Sequence, residues 1–203
     1  KEDEYKCFIV MRCWNPRAID VIKDVQLYGP DEVVLMPLYP QYSAATSGSS
    51  IKEWKDVCKK NNYHIKTSTI CCYPTDQNFI KAHTKEIVKK IKNLKNFKLI
   101  FSAHGLPEKN IKKGDPYQWQ VEQSVKKIVE SLGDENLDWI LSYQSRVGPL
   151  KWIGPSTENT IIENSKIGKH IVLVPIAFVS EHSETLVELD IEYKEIADAN
   201  GCK

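Results

Sequence analysis

Short apolar runs, each broken by a proline, a His–Gly pair or a polar loop, alternate with longer segments of helical periodicity. This alternation confines the chain to an α/β class built on parallel sheets, because parallel strands need helical crossovers between them. The runs Cys7–Met11, Val33–Met36, Ile65–Cys72, Leu99–Ala103 and Trp139–Tyr143, and the run opening at Ile171, predict strands. Between them, Ala18/Ile19/Ile22/Val25, Trp54/Val57/Cys58, Phe79/Ile80/Ile87/Ile91/Leu94 and Val121/Val125/Ile128/Leu132 recur at helical spacing. Asn15-Pro16, Ser50-x-x-Glu53 and Asp115-Pro116 read as helix starts, and Gly133 as a stop. VVLMPLY at Val33 and IVLVPIA at Ile171 share a strand, a proline and an apolar continuation. That likeness reads either as two related α/β halves or as chance similarity of buried strands. The short polar stretch Lys95–Lys98 places a boundary that divides the chain into residues 1–96 and 97–203.

In open parallel sheets, ligands bind beyond the carboxyl ends of the strands. Arg12, Tyr39, His104, Ser145 and His182 all fall at or just after such ends. The segment from Ile171 breaks at Pro175 and turns through Phe178-Val179-Ser180. It then predicts an α-helix with Leu186, Leu189, Tyr193 and Ile196 on its apolar face. Glu184, Glu188 and Glu192 repeat every four residues, which on an α-helix places neighbouring carboxylates roughly 6 Å apart. Such a like-charged row costs a few tenths of a kcal/mol per pair on a free helix. It reads as a solvated face or as a stripe with a cationic partner. His182-x-Glu184 sets an imidazole and a carboxylate close together, a donor pair suited to a divalent ion, and it is not an HExxH zinc-protease motif. His104 reads as a structural histidine or a site residue, and Gly105 beside it permits an unusual turn and close ligand approach. Trp152 and Phe178 either fill the core or offer flat apolar surface to a planar ligand. Arg12 and Arg146 could pair with ligand carboxylates or with acidic side chains of this chain. TSGSS at Thr46 lacks the lysine of a P-loop, and Ser102 and Ser145 lack a G-x-S-x-G elbow.

Charge narrows the partners. With 28 basic and 27 acidic residues and a net charge of +1, there is no electrostatic case for nucleic acid. No apolar run reaches a membrane span, mean hydropathy is −0.41, and the opening KEDEYK does not resemble a signal peptide. Six cysteines without CxxC pairing or zinc-type spacing point to a reducing compartment, with Cys7, Cys71 and Cys72 expected as buried thiols. The residues alone stop at an α/β protein whose cleft binds a divalent metal beside a flat, partly apolar ligand.

Four motifs carry a resemblance: Phe101-Ser-Ala-His-Gly-Leu-Pro107; Tyr143-Gln-Ser-Arg-Val-Gly-Pro149 with Trp152 and Pro155; Pro175 to Leu186 with Glu188-Leu-Asp-Ile-Glu-Tyr193; and Tyr39-Pro-Gln-Tyr-Ser43 with Gly48-Ser-Ser50. In their order along the chain they resemble the ferrochelatase family over almost the whole chain. The resemblance implies two similar Rossmann-like, chelatase-type domains, residues 1–96 and 97–203, with the active-site cleft between them. It also implies insertion of Fe²⁺, the substrate metal, into protoporphyrin IX to form haem. His104 and Glu184 match the family's pair assigned to metal binding and pyrrole deprotonation; set beside them, the carboxylate row continues as an approach track, so His104, Glu184, Glu188 and Glu192 are the expected metal-handling residues. Arg12, Tyr39, Ser145, Trp152, Phe178 and His182 match positions lining the porphyrin. Ala44 stands where cluster-bearing members carry a cysteine, so no iron–sulfur cluster is expected. A bacterial-type cytoplasmic location follows. The family's first strand and lip helix and its last strand and helices are expected to be missing, and with them pocket wall and peripheral membrane contact. The activity of the piece is therefore a separate question from that of its parent. Two alternatives remain: a chelatase for another tetrapyrrole, coproporphyrin or a cobalt-precorrin, and a non-catalytic porphyrin- or haem-binding module.

Overall fold

The computed structural model describes residues 4–202, so the outermost residues of the two expected halves, 1–3 and 203, lie outside the described residues. The described chain forms two compact units. One holds the chain up to Pro37 together with Tyr42–Cys72, and the other holds Leu38–Gln41 and the chain from Tyr73 onward.

In the first unit, helix α1 (Ala18–Tyr28) leads to strand β1 (Glu32–Leu35), and helix α2 (Ser49–Lys60) leads to strand β2 (Lys66–Thr69). The two strands pair in parallel, from Glu32 opposite Lys66 to Leu35 opposite Thr69. Ala18, Val21, Ile22 and Val25 of α1 pack with Trp54 and Val57 of α2. Gly29 ends α1 at φ 64, a left-handed conformation that glycine adopts without a Cβ clash.

Four local expectations change here. Cys7–Met11 alternates as a strand would, with Phe8 and Val10 packed on this core, but its backbone joins no ladder; the Met11 amide instead bonds the Pro16 carbonyl at 2.7 Å. Helix α1 begins at Ala18 rather than Pro16, capped by reciprocal bonding between Arg17 and Asp20. Ser50 opens no helix, because α2 continues from a π-helical turn, Ala44–Gly48, that Ser43 caps. Cys7 and Cys71 are exposed and Cys72 is half-buried, since Cys7 takes the outward phase of its segment and the other two follow the last β1–β2 bond, Ile70 N to Leu35 O. Among the described residues no disulfide joins the cysteines.

The second unit is a three-stranded parallel sheet in the order β4 (Trp139–Gln144), β3 (Phe97–His104), β5 (His170–Pro175). Strand β3 is central, which is why it reads as an unbroken apolar run: both its faces are covered. Leu99, Phe101 and Ala103 face Ile80 and Ile87 of α3 (Gln77–Ile91) and Val121, Val125 and Ile128 of α5 (Tyr117–Leu132), the two being separated by the short α4 (Glu108–Lys112). Ile100 points the other way, toward Ile161 of α6 (Thr157–Lys166) and Leu189, Tyr193 and Ala197 near the end of the chain. Because α3 packs on α5, the compact units part at Cys72, a different division from the expected halves at residue 96.

The last segment is not the expected single α-helix. Glu184–Glu192 is π-helical and only Tyr193–Ala199 (α7) is α-helical. Bonding from i to i+5 turns the chain less per residue, so a four-residue spacing keeps one face inward. Thr185, Leu189, Tyr193 and Ala197 are accordingly buried, while Leu186, expected in the core, is 49% exposed. No described helix is long and apolar enough to cross a membrane.

Candidate active site

His104 ends β3 and Gln144 ends β4, and the two are paired across the sheet. The carboxyl edge of the sheet thus delivers two polar side chains side by side, and the π-helical segment supplies the carboxylates that meet them. His104 Nδ1 lies 2.7 Å from Glu184 Oε2. Burial pulls the His104 imidazole down, but the Glu184 hydrogen bond and the charges of Glu184 and Glu188 outweigh it, and the group titrates above its ordinary value. Burial likewise pushes Glu184 up, yet the His104 hydrogen bond and the charges of His104 and His182 hold it below the usual carboxylate range. An ionised Glu184 can only accept, so the neutral imidazole carries its hydrogen on Nδ1 and leaves Nε2 as a base.

Glu188 is held more tightly than a solvated glutamate. It accepts from Ser145 N at 2.9 Å, Ser145 Oγ at 2.5 Å, Tyr193 OH at 3.0 Å and Gln144 Nε2 at 3.4 Å. Ser145 makes two of these bonds because its backbone is left-handed, φ 56, an uncommon state for a residue with a Cβ and one that clusters at functional sites. His182 Nδ1 accepts from Glu184 N at 3.1 Å, so its ring hydrogen sits on Nε2 in the neutral form, and its ring meets Phe178 edge-on at 4.3 Å between centroids. Trp152 sits on the loop after β4, with Nε1 donating to Val147 O at 3.1 Å and the chain bridged to Pro107.

Gly105 serves close approach, though to its own chain. A Cβ there would lie 2.9 Å from Gln144 O and 3.2 Å from Trp152 Cε3, and its amide bonds Gln144 O at 2.9 Å.

Of the expected site residues, the structure brings together His104, Glu184, Ser145 and Glu188, with Phe178 and His182 continuing from Glu184 and Trp152 beside Gly105. Glu192 is exposed at the end of the π-helical segment. Arg12 belongs to the first unit, where its Nε lies 3.6 Å from Glu53, a carboxylate that Arg17 also binds. Tyr39 is 42% exposed, two residues before Gln41. Gln41 is buried and pins its segment by donating to Ser124 Oγ at 2.9 Å and Ile176 O at 3.3 Å. Among the described residues no three His, Cys, Asp or Glu side chains are grouped closely enough to hold a metal ion. The sequence reading missed Gln144, Gln41 and the polar role of Tyr193; only the strand-end position of Gln144 could have signalled it.

Replacing Glu184 by Gln removes the hydrogen bond to a carboxylate and the Glu184 charge that raise His104, leaving burial, which lowers it, opposed only by the charge of Glu188. The His104 Cε1–H resonance, followed by proton NMR against pH, is therefore expected to titrate at a lower pH in Glu184→Gln than in wild type; an unchanged midpoint would break the pairing. The raised His104 stabilises the fold below the ordinary histidine value, and this is lost as pH climbs through the raised value. The depressed Glu184 stabilises it above the ordinary carboxylate range, lost as pH falls through the lowered value.

Comparison with known proteins gives one family throughout. The chain matches the ferrochelatase family across residues 1–203. It is 89% identical to a ferrochelatase of Pelagibacter ubique over 202 residues, covering 100% of this chain and 59% of that protein. It is 52% identical to a ferrochelatase of Rickettsia bellii, covering 97% of this chain and 54% of that one, and 50% identical to one of Rickettsia felis, covering 97% and 57%. The chain thus spans little more than half the length of these relatives.

Proposed function

Because this chain belongs to the ferrochelatase family, we propose that the protein of which it forms part inserts Fe²⁺ into protoporphyrin IX to form haem. The observation that carries the reading is the 2.7 Å contact between His104 and Glu184, two motifs 80 residues apart in sequence. Metallation strips two weakly acidic pyrrole protons, which needs a base in a sheltered place. Neutral His104 offers Nε2 for each proton in turn, and Glu184 on Nδ1 stabilises the imidazolium that forms, so the base is recharged by releasing that proton to solvent. The iron is substrate. Imidazole and carboxylates hold Fe²⁺ without a thiolate cage, so it can be passed on. We assign its handling to His104, Glu184, Glu188 and Glu192.

Arg12, Tyr39, Ser145, Trp152, Phe178 and His182 are assigned to the porphyrin: rings for the flat macrocycle, polar groups for its edges. The halves 1–96 and 97–203 as related chelatase domains, the absence of an iron–sulfur cluster suggested by Ala44, a cytoplasmic location and any peripheral membrane contact belong to the same reading.

The test is anaerobic mixing of the full-length parent with protoporphyrin IX and Fe²⁺ or Zn²⁺, following the porphyrin absorption bands. Collapse to a metalloporphyrin spectrum is expected. Tight porphyrin binding with no metallation by either ion would make the protein a binding module. Strong preference for coproporphyrin in competition would move it to a different chelatase.

A further inference from the structure

Behind the site lies a series of polar side chains that the proposed chemistry does not use. Ser102 of β3, Ser142 of β4 and Thr157 of α6 are each 0% exposed, and Gln144 is 1% exposed. Hydroxyls and an amide in such a place cost stability unless every one is bonded, and here they are bonded to one another. Ser142 Oγ lies 2.9 Å from Thr157 Oγ1, Thr157 Oγ1 lies 2.9 Å from Ser102 Oγ, and Ser102 Oγ lies 2.5 Å from Gln144 Oε1. Gln144 Nε2 then reaches Glu188 Oε2 at 3.4 Å.

The far end sets the direction of every bond. Gln144 donates from Nε2 to Glu188 Oε2. Its Oε1 then faces Ser102, which must donate. Ser102 has one hydrogen, so it accepts from Thr157, and Thr157 in turn accepts from Ser142, whose single hydrogen is shared between Thr157 Oγ1 at 2.9 Å and Phe101 O at 3.2 Å. From Thr157 onward each donor points toward the carboxylate, the arrangement in which successive hydrogen bonds polarise and strengthen one another. A mere anchor of α6 to the sheet would need only the first of these contacts and would not end on a glutamate beside Glu184 and Ser145.

We infer that Thr157, acting through Ser102 and Gln144, is a positioning residue that fixes the Glu188 carboxylate for receipt of the divalent ion; this rests on the chelatase reading of the site. Thr157 touches neither porphyrin nor metal in that reading. Partners that orient a metal-handling ligand typically carry 10- to 100-fold in metal affinity.

The experiment compares Thr157→Val, which removes the hydroxyl at nearly constant volume, with Thr157→Ser, which keeps it, in the full-length parent. Thr157→Val is expected to raise the apparent KM for Fe²⁺ or Zn²⁺ roughly 10-fold, with kcat and the porphyrin KM within about twofold of wild type. Thr157→Ser should stay near wild type. Amide exchange at Ser145, whose N–H is held by Glu188, should quicken in Thr157→Val and not in Thr157→Ser. Ser102→Ala breaks the series one step nearer the carboxylate and must reproduce the Thr157→Val result, which keeps the test decisive if Thr157→Val folds poorly. Equal behaviour of Thr157→Val and Thr157→Ser, or a parallel change of kcat and both KM values, would overturn the inference. If the wild-type parent metallates no porphyrin, the chelatase reading falls, and Ser145 exchange alone still decides whether Thr157 governs Glu188.

Discussion

His104→Ala in the full-length parent is expected to lower turnover of porphyrin metallation by roughly 10²- to 10⁴-fold, the usual contribution of a positioned general base. The magnitude follows from what is removed. In the proposed chemistry His104 supplies the basic Nε2, and its Nδ1 is the group that Glu184 holds. Without the imidazole, Glu184 loses the hydrogen bond and charge of His104 and keeps only the His182 charge and the Ser145 hydrogen bond against a burial that favours the protonated form. The wild-type rate should also fall on acidification, with the fall beginning above the ordinary histidine value, because protonated His104 can neither take a pyrrole proton nor ligate iron. Stopped-flow absorption of the porphyrin checks both results. Wild-type turnover surviving in His104→Ala would remove the histidine from the chemistry.

Phe101→Ala is the largest loss of stability expected, about 3–5 kcal/mol. Phe101 is 0% exposed on the central strand, set edge-on to Trp139 with centroids 6.1 Å apart, and packed into the cluster with α3 and α5. Truncation leaves a cavity that flanking strands, bonded on both sides, cannot close. Urea unfolding of the full-length parent should show a lower midpoint with an unchanged slope. Leu27→Ala, at a side chain 89% exposed, should stay within about 0.5 kcal/mol and serves as the control.

Strand β3 was legible because burial on both faces writes itself as an uninterrupted apolar run, and His104 because it closes that run before Gly105. Cys7–Met11 misled for a related reason: alternation reports which side chains face a core, and the backbone can satisfy itself without a neighbouring strand, as Met11 does with Pro16. The π-helical stretch was invisible because apolar spacings of three and four suit an α-helix, and only the burial of Thr185 in place of Leu186 tells them apart. The pairing of His104 with Glu184 came through family resemblance; periodicity gave the carboxylate row and no partner for it. Ser102, Ser142 and Thr157 carry no mutual pattern at all. They converge only because β3 and β4 pair in one alignment and the loop after β4 brings α6 back over them.

That alignment, His104 opposite Gln144, makes the site a vernier. A slip of one residue between β3 and β4 would invert every side chain of the slipped strand and remove Gln144 from the place beside His104. On the proposed chemistry, parent molecules folded in the wrong alignment would therefore be inert instead of sluggish. A parent preparation containing such slipped molecules should be a mixture of fully competent and fully silent ones, and titrating active centres would count them.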